Sequence, residues 1–181
     1  MPPAAVRPFG DVVVTGLGTV NPLGGDTAST WRAVQAGTCA VRSLEPEWVE
    51  EYELPVRIGA PLAIDPEELL PARQIRRLDR ASQCALLAAR QAWEHAGSPQ
   101  VAPQRLAVSV SPGMGPVLSV MEAWDALRDK GPRRVLPTAV PALMPNAPAA
   151  AVGIELGARA GIHAPVRSEE HTSELQSLGA I

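Results

Sequence analysis

The sequence contains a single lysine, Lys130, and only two cysteines among 181 residues. The formal net charge is −3, and the absence of a basic run argues against a nucleic-acid or anionic-membrane surface. No apolar run approaches the roughly 20 residues that span a bilayer, and residues 1–10 lack the apolar segment of a secretory signal. Cys39 and Cys84 lack metal-site spacing. We therefore expect two reduced, structural thiols in a cytoplasmic protein.

Apolar residues make up 46% of the chain and charged residues 19%, which is enough for one packed domain of ordinary size. Short β-branched runs alternate with longer helical patterns, and this alternation favours an α/β layered fold with a largely buried sheet. The patterns predict strands at 11–15, 56–60, 105–110 and 161–166. They predict helices at 27–36, 79–95, 117–130 and 147–156. Residues 41–55 and 135–146 are expected to be irregular.

Two glycines, Gly16 and Gly18, follow the first predicted strand, as in a dinucleotide-binding turn. The third glycine of that motif is replaced by Asn21, and Pro22 biases Asn21 away from helical geometry. No helix therefore begins where a pyrophosphate would need one. Nicotinamide-cofactor binding is not the favoured interpretation.

The remaining polar residues permit more than one interpretation. His95 ends a predicted helix, where an imidazolium would favour the helix dipole more readily than it would serve catalysis. His163 lies in the last strand as a core or interface residue, and Arg73, Arg76 and Arg77 are expected on a solvated helix face. No residue grouping has metal-ligand spacing.

Residues 111–116, Ser-Pro-Gly-Met-Gly-Pro, form a glycine-rich loop at the end of a predicted strand. Loops in that position commonly carry a binding site, so Gly113, Gly115 and Asn146 are candidates. Met114 is either a packed loop residue or a flexible gate to an apolar tunnel.

Six stretches in order resemble the elongating β-ketoacyl-[acyl-carrier-protein] synthases, which have the thiolase fold. They are Val12-Val-Val-Thr-Gly-Leu-Gly-Thr-Val-Asn-Pro-Leu-Gly24, Thr30-Trp-Arg-Ala33 with Ala36-Gly37, Arg77-Leu-Asp-Arg80, Ser111-Pro-Gly-Met-Gly-Pro116, Gly131-Pro-Arg-Arg-Val-Leu-Pro137, and Val140-Pro141 with Met144-Pro-Asn146. The resemblance covers about residues 11–166 and implies the amino-terminal half of an αβαβα layered fold, which alone is incomplete.

The resemblance also implies chemistry. A family member extends an acyl chain by decarboxylative condensation with malonyl-carrier protein, using a cysteine nucleophile and no metal or redox cofactor. Its partners are acyl carrier protein, acyl and malonyl thioesters, and a second copy of itself. Met114 matches the acyl-pocket gate, and Ala139 matches a pocket position that is usually bulky and aromatic. Pro112 and Pro116 depart from the family's gate loop.

The sequence changes character after Val166. By the family pattern the nucleophilic cysteine is expected at position 169, which is Glu169, and its neighbours lack the small residues of a nucleophile turn. The segment 167–181 resembles a translated sequencing adapter. We therefore interpret the chain as a tail at 1–10, a synthase half at 11–166 and a foreign tail at 167–181, and we expect it to be inactive and poorly folded.

Two alternatives remain open. The chain is alternatively a fragment of a polyketide ketosynthase, or of the cysteine-less chain-length partner of such an enzyme. A nucleotide-binding module is a third class, which only a measured cofactor affinity would support.

Overall fold

The structure is a computed structural model that describes residues 11–44 and 47–165. Both predicted tails, including Glu169, lie outside the described residues, as does the last residue of the predicted final strand. The helices are α1 (Thr27–Gln35), α2 (Glu47–Glu51), α3 (Pro66–Leu69), α4 (Ala72–Ile75), α5 (Arg80–His95), α6 (Val117–Lys130), α7 (Ala139–Leu143) and α8 (Ala147–Leu156). The strands are β1 (Arg42–Ser43), β2 (Ile58–Gly59), β3 (Ala107–Ser109) and β4 (Gly161–His163).

The four longer helices lie where the sequence predicts them, and their ends have local causes. Asp79 caps α5 by accepting hydrogen bonds from the N–H groups of Ala81 and Ser82 at 2.9 and 3.2 Å. Helix α8 ends at Gly157, whose φ of 68° lies in the left-handed region that favours glycine. Both signals are readable from sequence, which explains why these boundaries were predictable.

The core of the described residues forms where α5 and α8 pack together beside β3 and β4. Strands β3 and β4 are parallel, with Val108 opposite Ile162. Val108, Ala149 and Val152 form one buried cluster, and small side chains of α5 pack against it. Leu70, which follows α3, forms a second cluster with Leu86 and Leu87 of α5. Helix α5 therefore contributes to both clusters.

The predicted strand at 11–15 is wrong. These residues form no ladder with any described segment, and Val12 is 95% exposed. A strand exists only through hydrogen bonds to a neighbouring strand, so a β-branched run alone does not make one. The predicted strand at 105–110 shortens to three residues, of which only Val108 is buried.

The segment after this run lies against α5, and side chains of α5 hold its backbone. The Leu17 N–H donates to Nδ1 of His95 at 3.0 Å, and the Thr19 N–H donates to Oε1 of Gln91 at 3.1 Å. The Nε2 group of Gln91 also donates to the Gly25 carbonyl at 2.7 Å. His95 therefore has a structural contact at the helix end, where it holds the backbone of Leu17.

Close approach explains the two glycines of the turn. A Cβ atom at Gly16 would lie 2.0 Å from the Ala92 carbonyl oxygen, and one at Gly18 would lie 2.0 Å from that of Ala88. These residues are glycine because the backbone touches α5, rather than because a cofactor phosphate approaches them. The dinucleotide interpretation loses its main support.

Two segments expected to be irregular contain regular structure. Residues 41–55 include β1 and α2, and β1 pairs antiparallel with β2, with Arg42 opposite Gly59. The predicted edge strand at 56–60 is thus confirmed over two residues. The loop at 135–146 contains α7, which begins at Ala139. These elements are short, and their hydrophobic patterns are too brief to be recognised from sequence.

Candidate functional site

The glycine-rich loop at 111–116 follows β3, as the sequence predicts. Met114 is 83% exposed, and a Cβ atom at Gly113 would meet nothing within 4 Å. Gly115 has a φ of 78°, and a Cβ atom there would lie 3.3 Å from Cα of Pro145. The loop thus lies beside the Met144–Asn146 segment, while its tip is open.

Ala139 lies in the wall of a cavity of about 1260 Å³ between the start of α5 and the pair α6 and α7. The apolar part of the wall includes Leu78, Leu118, Ala123, Leu136, Ala139 and Ala142. Met114 does not line this cavity, so the structure does not bring the two predicted pocket residues together in it. Their shared role as an acyl pocket stays a prediction.

Arginines dominate the polar part of the cavity wall. Arg73, Arg76 and Arg77 line it together with Arg80 and Arg134. The first three are exposed, as predicted, but they face a cavity rather than an open helix surface. The sequence reveals their density but not this setting, because Arg134 joins them from a segment more than fifty residues away.

The acidic residues of the same wall are Glu67, Asp79 and Glu122. Arg80 is engaged by an ion pair with Asp65 at 2.7 Å. The hydrogen bond from the Glu67 N–H lowers the pKa of the Asp65 carboxyl below its usual range, and Arg80 adds a smaller lowering. Among the described residues, no ion pair involves the other four arginines of the cavity. They remain available to an anionic ligand.

Three polar side chains are buried in the described part of the chain, and all three lie at the start of α5. Asp79 accepts from the Ser82 hydroxyl as well as from the backbone. Gln83 is 3% exposed and donates from Nε2 to the Leu78 carbonyl at 3.0 Å. The sequence does not predict the burial of this trio, because its only signal is that these polar residues lie in, or directly before, a helix that contains Leu86 and Leu87.

Neither cysteine is placed as a nucleophile. Both are free thiols; Cys39 is exposed and Cys84 is half-buried. Burial is the main cause that raises the pKa of the Cys84 thiol, and the charges of Asp79 and Asp65 act in the same direction, which disfavours the reactive thiolate. His163, at the end of β4, is exposed. Within residues 11–44 and 47–165, no His, Cys, Asp or Glu cluster is arranged to hold a metal ion.

The cavity combines guanidinium cations with an apolar wall, an arrangement that can accommodate an anionic group next to an apolar one. It contains no described residue activated for nucleophilic attack. None of the described helices has both the length and the apolar content needed to cross a membrane.

Comparisons with known proteins agree on one family. Residues 10–169 match the family model described as the β-ketoacyl synthase N-terminal domain. The 3-oxoacyl-[acyl-carrier-protein] synthase 2 of Mycobacterium leprae is 36% identical over 168 residues, which is 93% of this chain and 40% of that relative.

Solved structures show the same likeness. A β-ketoacyl synthase from Burkholderia phymatum STM815 matches with a TM-score of 0.70 at 25% identity, covering 92% of this chain and 41% of its own. A type II polyketide ketosynthase, bound to hexaketide and in complex with its acyl carrier protein, matches with a TM-score of 0.61 at 21% identity, covering 81% and 40%. The chain therefore spans about two fifths of the length of these proteins.

Proposed function

Because the chain belongs to the β-ketoacyl synthase family, we propose that it supplies the carrier-binding part of a 3-oxoacyl-[acyl-carrier-protein] synthase. In the reaction proposed for the whole protein, a cysteine thiolate attacks an acyl thioester and releases the carrier's thiol. Malonyl-carrier protein then loses carbon dioxide, and the resulting carbanion attacks the enzyme-bound acyl group, which forms the new C–C bond, breaks the C–S bond of the thioester and releases the cysteine thiolate.

The observation that carries the proposal is the arginine-lined cavity. Arg73, Arg76, Arg77 and Arg134 converge on one opening beside an apolar wall that includes Ala139. Guanidinium groups bind carboxylates and phosphates through paired hydrogen bonds. We propose that they hold anionic groups of the acyl carrier protein, the partner with which one ketosynthase of this fold was solved.

The finer features of the proposal have separate support. The relatives named 3-oxoacyl-[acyl-carrier-protein] synthase 2 favour the fatty-acid pathway over the polyketide alternative. Free thiols at both cysteines fit a reducing compartment such as the cytoplasm. A homodimer is proposed from the family resemblance alone. The inactivity of the 181-residue chain, expected from Glu169, stays a prediction, as does the foreign origin of residues 167–181.

Carrier binding tests the proposal directly. Titration calorimetry of the full chain with holo acyl carrier protein should show that the double change Arg76→Ser and Arg77→Ser weakens binding about tenfold or more, since the loss of even one charge-assisted hydrogen bond costs about 1.5–3 kcal/mol. Arg128→Ser is the matched control, because Asp125 and Asp129 on α6 already engage that guanidinium. Equal affinity for the wild type and the double variant would refute carrier binding at this cavity.

A further inference from the structure

The concentration of buried polar groups at the start of α5 requires a physical reason, because a buried polar group costs free energy unless it is hydrogen-bonded. Asp79 accepts a hydrogen bond from the Ser82 hydroxyl and also accepts from the first N–H groups of the helix. Such a pair caps α5 without any further partner. Gln83 is the member of the trio that the cap does not explain.

The side chain of Gln83 contacts a residue that precedes its own helix. Its Nε2 group donates to the carbonyl of Leu78, five residues earlier in the chain. A carbonyl oxygen can only accept, so this bond fixes which end of the carboxamide is nitrogen. The Oε1 atom is then buried, with no hydrogen-bond partner in the described part of the chain. Among the described residues, the bond to the Leu78 carbonyl is therefore the only hydrogen bond that this buried side chain makes.

Leu78 belongs to the link between α4 and α5 that carries the arginines. On the α4 side, the N–H groups of Arg77 and Leu78 both donate to the Gln74 carbonyl, at 3.0 and 2.9 Å. On the α5 side, Gln83 holds the carbonyl of Leu78. The N–H and the carbonyl of Leu78, directly after Arg76 and Arg77, are thus both held by hydrogen bonds, the first to Gln74 and the second to Gln83.

We propose that Gln83 is a positioning residue that fixes the arginine-bearing link at the rim of the cavity. The inference rests on the proposed carrier-binding function. Paired hydrogen bonding by a guanidinium depends on its orientation, so a link that can shift presents the same charges in poorer geometry. Gln83 itself lines the cavity, but the role proposed for it acts through the backbone of Leu78 and not through a contact with the carrier.

Two changes separate this role from a general effect on folding. Gln83→Met keeps a similar length and removes the donor. Gln91→Met makes the same change on the same helix, where the lost bonds hold Thr19 and Gly25 rather than the arginine link. Binding of holo acyl carrier protein to the full chain is measured over a series of salt concentrations, because the salt dependence reports how well opposite charges are matched.

Gln83→Met should weaken carrier binding about fivefold and flatten its salt dependence, whereas Gln91→Met should keep the wild-type salt dependence. A wild-type salt dependence for Gln83→Met, alongside a weakened Arg76→Ser and Arg77→Ser variant, would overturn the positioning role and leave the proposed function intact. If the double arginine variant binds normally, the proposed function itself fails.

Gln83→Glu supplies a second readout in case the methionine variant folds poorly. A protonated glutamic acid can donate to the Leu78 carbonyl, whereas its carboxylate cannot. Carrier affinity of Gln83→Glu relative to wild type should therefore rise as pH falls through the titration of this buried carboxyl. Asp79, Arg77, Arg80 and Glu122 line the same cavity in both proteins, so the wild-type profile accounts for their titration. Parallel profiles at every pH would overturn the role.

Discussion

Single glycines of this chain have different roles that the sequence does not distinguish. A Cβ atom at Gly18 would lie 2.0 Å from the Ala88 carbonyl oxygen, whereas one at Gly113 would meet nothing within 4 Å. Substitution at the first site must separate the backbone from α5, and substitution at the second requires no movement. Close approach to a helix thus identifies the structural glycine.

Gly18→Ala should loosen the segment that lies on α5. Forced separation of packed groups costs typically 1–3 kcal/mol, so about 2 kcal/mol would speed amide exchange about 30-fold. The readout is hydrogen exchange of the Thr19 amide, which is bonded to Gln91. Gly113→Ala serves as the control and should leave this rate unchanged. Equal rates in the two variants would contradict the packing account.

The two thiols should react at different rates. Cys39 is exposed, while burial raises the pKa of Cys84, so its thiolate forms only at a higher pH than that of an ordinary thiol. Iodoacetamide at pH 7.5 should modify Cys39 first. The alkylation rate at Cys84 should keep rising with pH above the pH at which the rate of an ordinary thiol becomes constant. Mass spectrometry of the wild type and of Cys39→Ser measures both rates. Faster alkylation at Cys84 would contradict its burial.

Residue types were easier to predict than residue surroundings. The density of arginine at 73–77 is plain in the sequence, and its exposure was predicted correctly. The cavity was not predictable, because Arg134 and Ala139 reach it only through the packing of α6 and α7. Pairing between distant segments leaves no local pattern for a single sequence to show.

Among whole elements, the α5–α8 pair has the largest share of the described helix packing, and one ion pair joins the two helices across their edge. Arg90 donates from Nε to Glu155 at 2.7 Å and also contacts Gln74. Both charged side chains are 34% exposed, so solvent screening limits the contribution of the pair.

A double-mutant cycle with Arg90→Met and Glu155→Gln should give a coupling of about 0.5–1 kcal/mol. Global unfolding or amide exchange in α8 measures it. The cycle of Arg128→Met with Asp129→Asn, an exposed pair within α6, should give a coupling close to zero. A coupling at Arg90 no larger than at Arg128 would show that the ion pair does not join the helices.

Helices were predictable where their ends carry local signals, whereas the predicted strands are shortened or, at residues 11–15, not formed. The side chain of Asp79 caps the start of α5, and Gly157 adopts the left-handed conformation that ends α8. Both residue types are recognisable helix-end signals in the sequence. Residues 11–15 have strand composition, yet they do not form a strand, because strand formation depends on a neighbour that local composition does not supply.

Considered as a whole, the described chain exposes unusually many large apolar side chains. Helix α6 has no buried residue, and its exposed apolar residues include Val120, Met121, Trp124 and Leu127. An isolated helix of this length is marginal in water without packing. The family and solved-structure matches nevertheless confirm the predicted thiolase-like α/β fold.

This exposure should make the chain associate. Sedimentation velocity should show species larger than a monomer that grow with concentration, because contact between apolar surfaces removes them from water. Met121→Gln with Trp124→Gln should reduce association, while the polar control Asp125→Asn on the same helix should not. A monodisperse monomer that unfolds cooperatively and binds no hydrophobic dye would contradict the prediction.

The most direct test of the central claim, that the arginine-lined cavity binds the carrier, is residue-resolved NMR of the isotope-labelled chain titrated with holo acyl carrier protein. Amides of 76–80 and 134–139 should shift together and saturate at one affinity, while those of α8 and of the segment at 17–25 should stay in place. Shifts confined to those latter regions, or none at saturating carrier, would contradict carrier binding at this cavity.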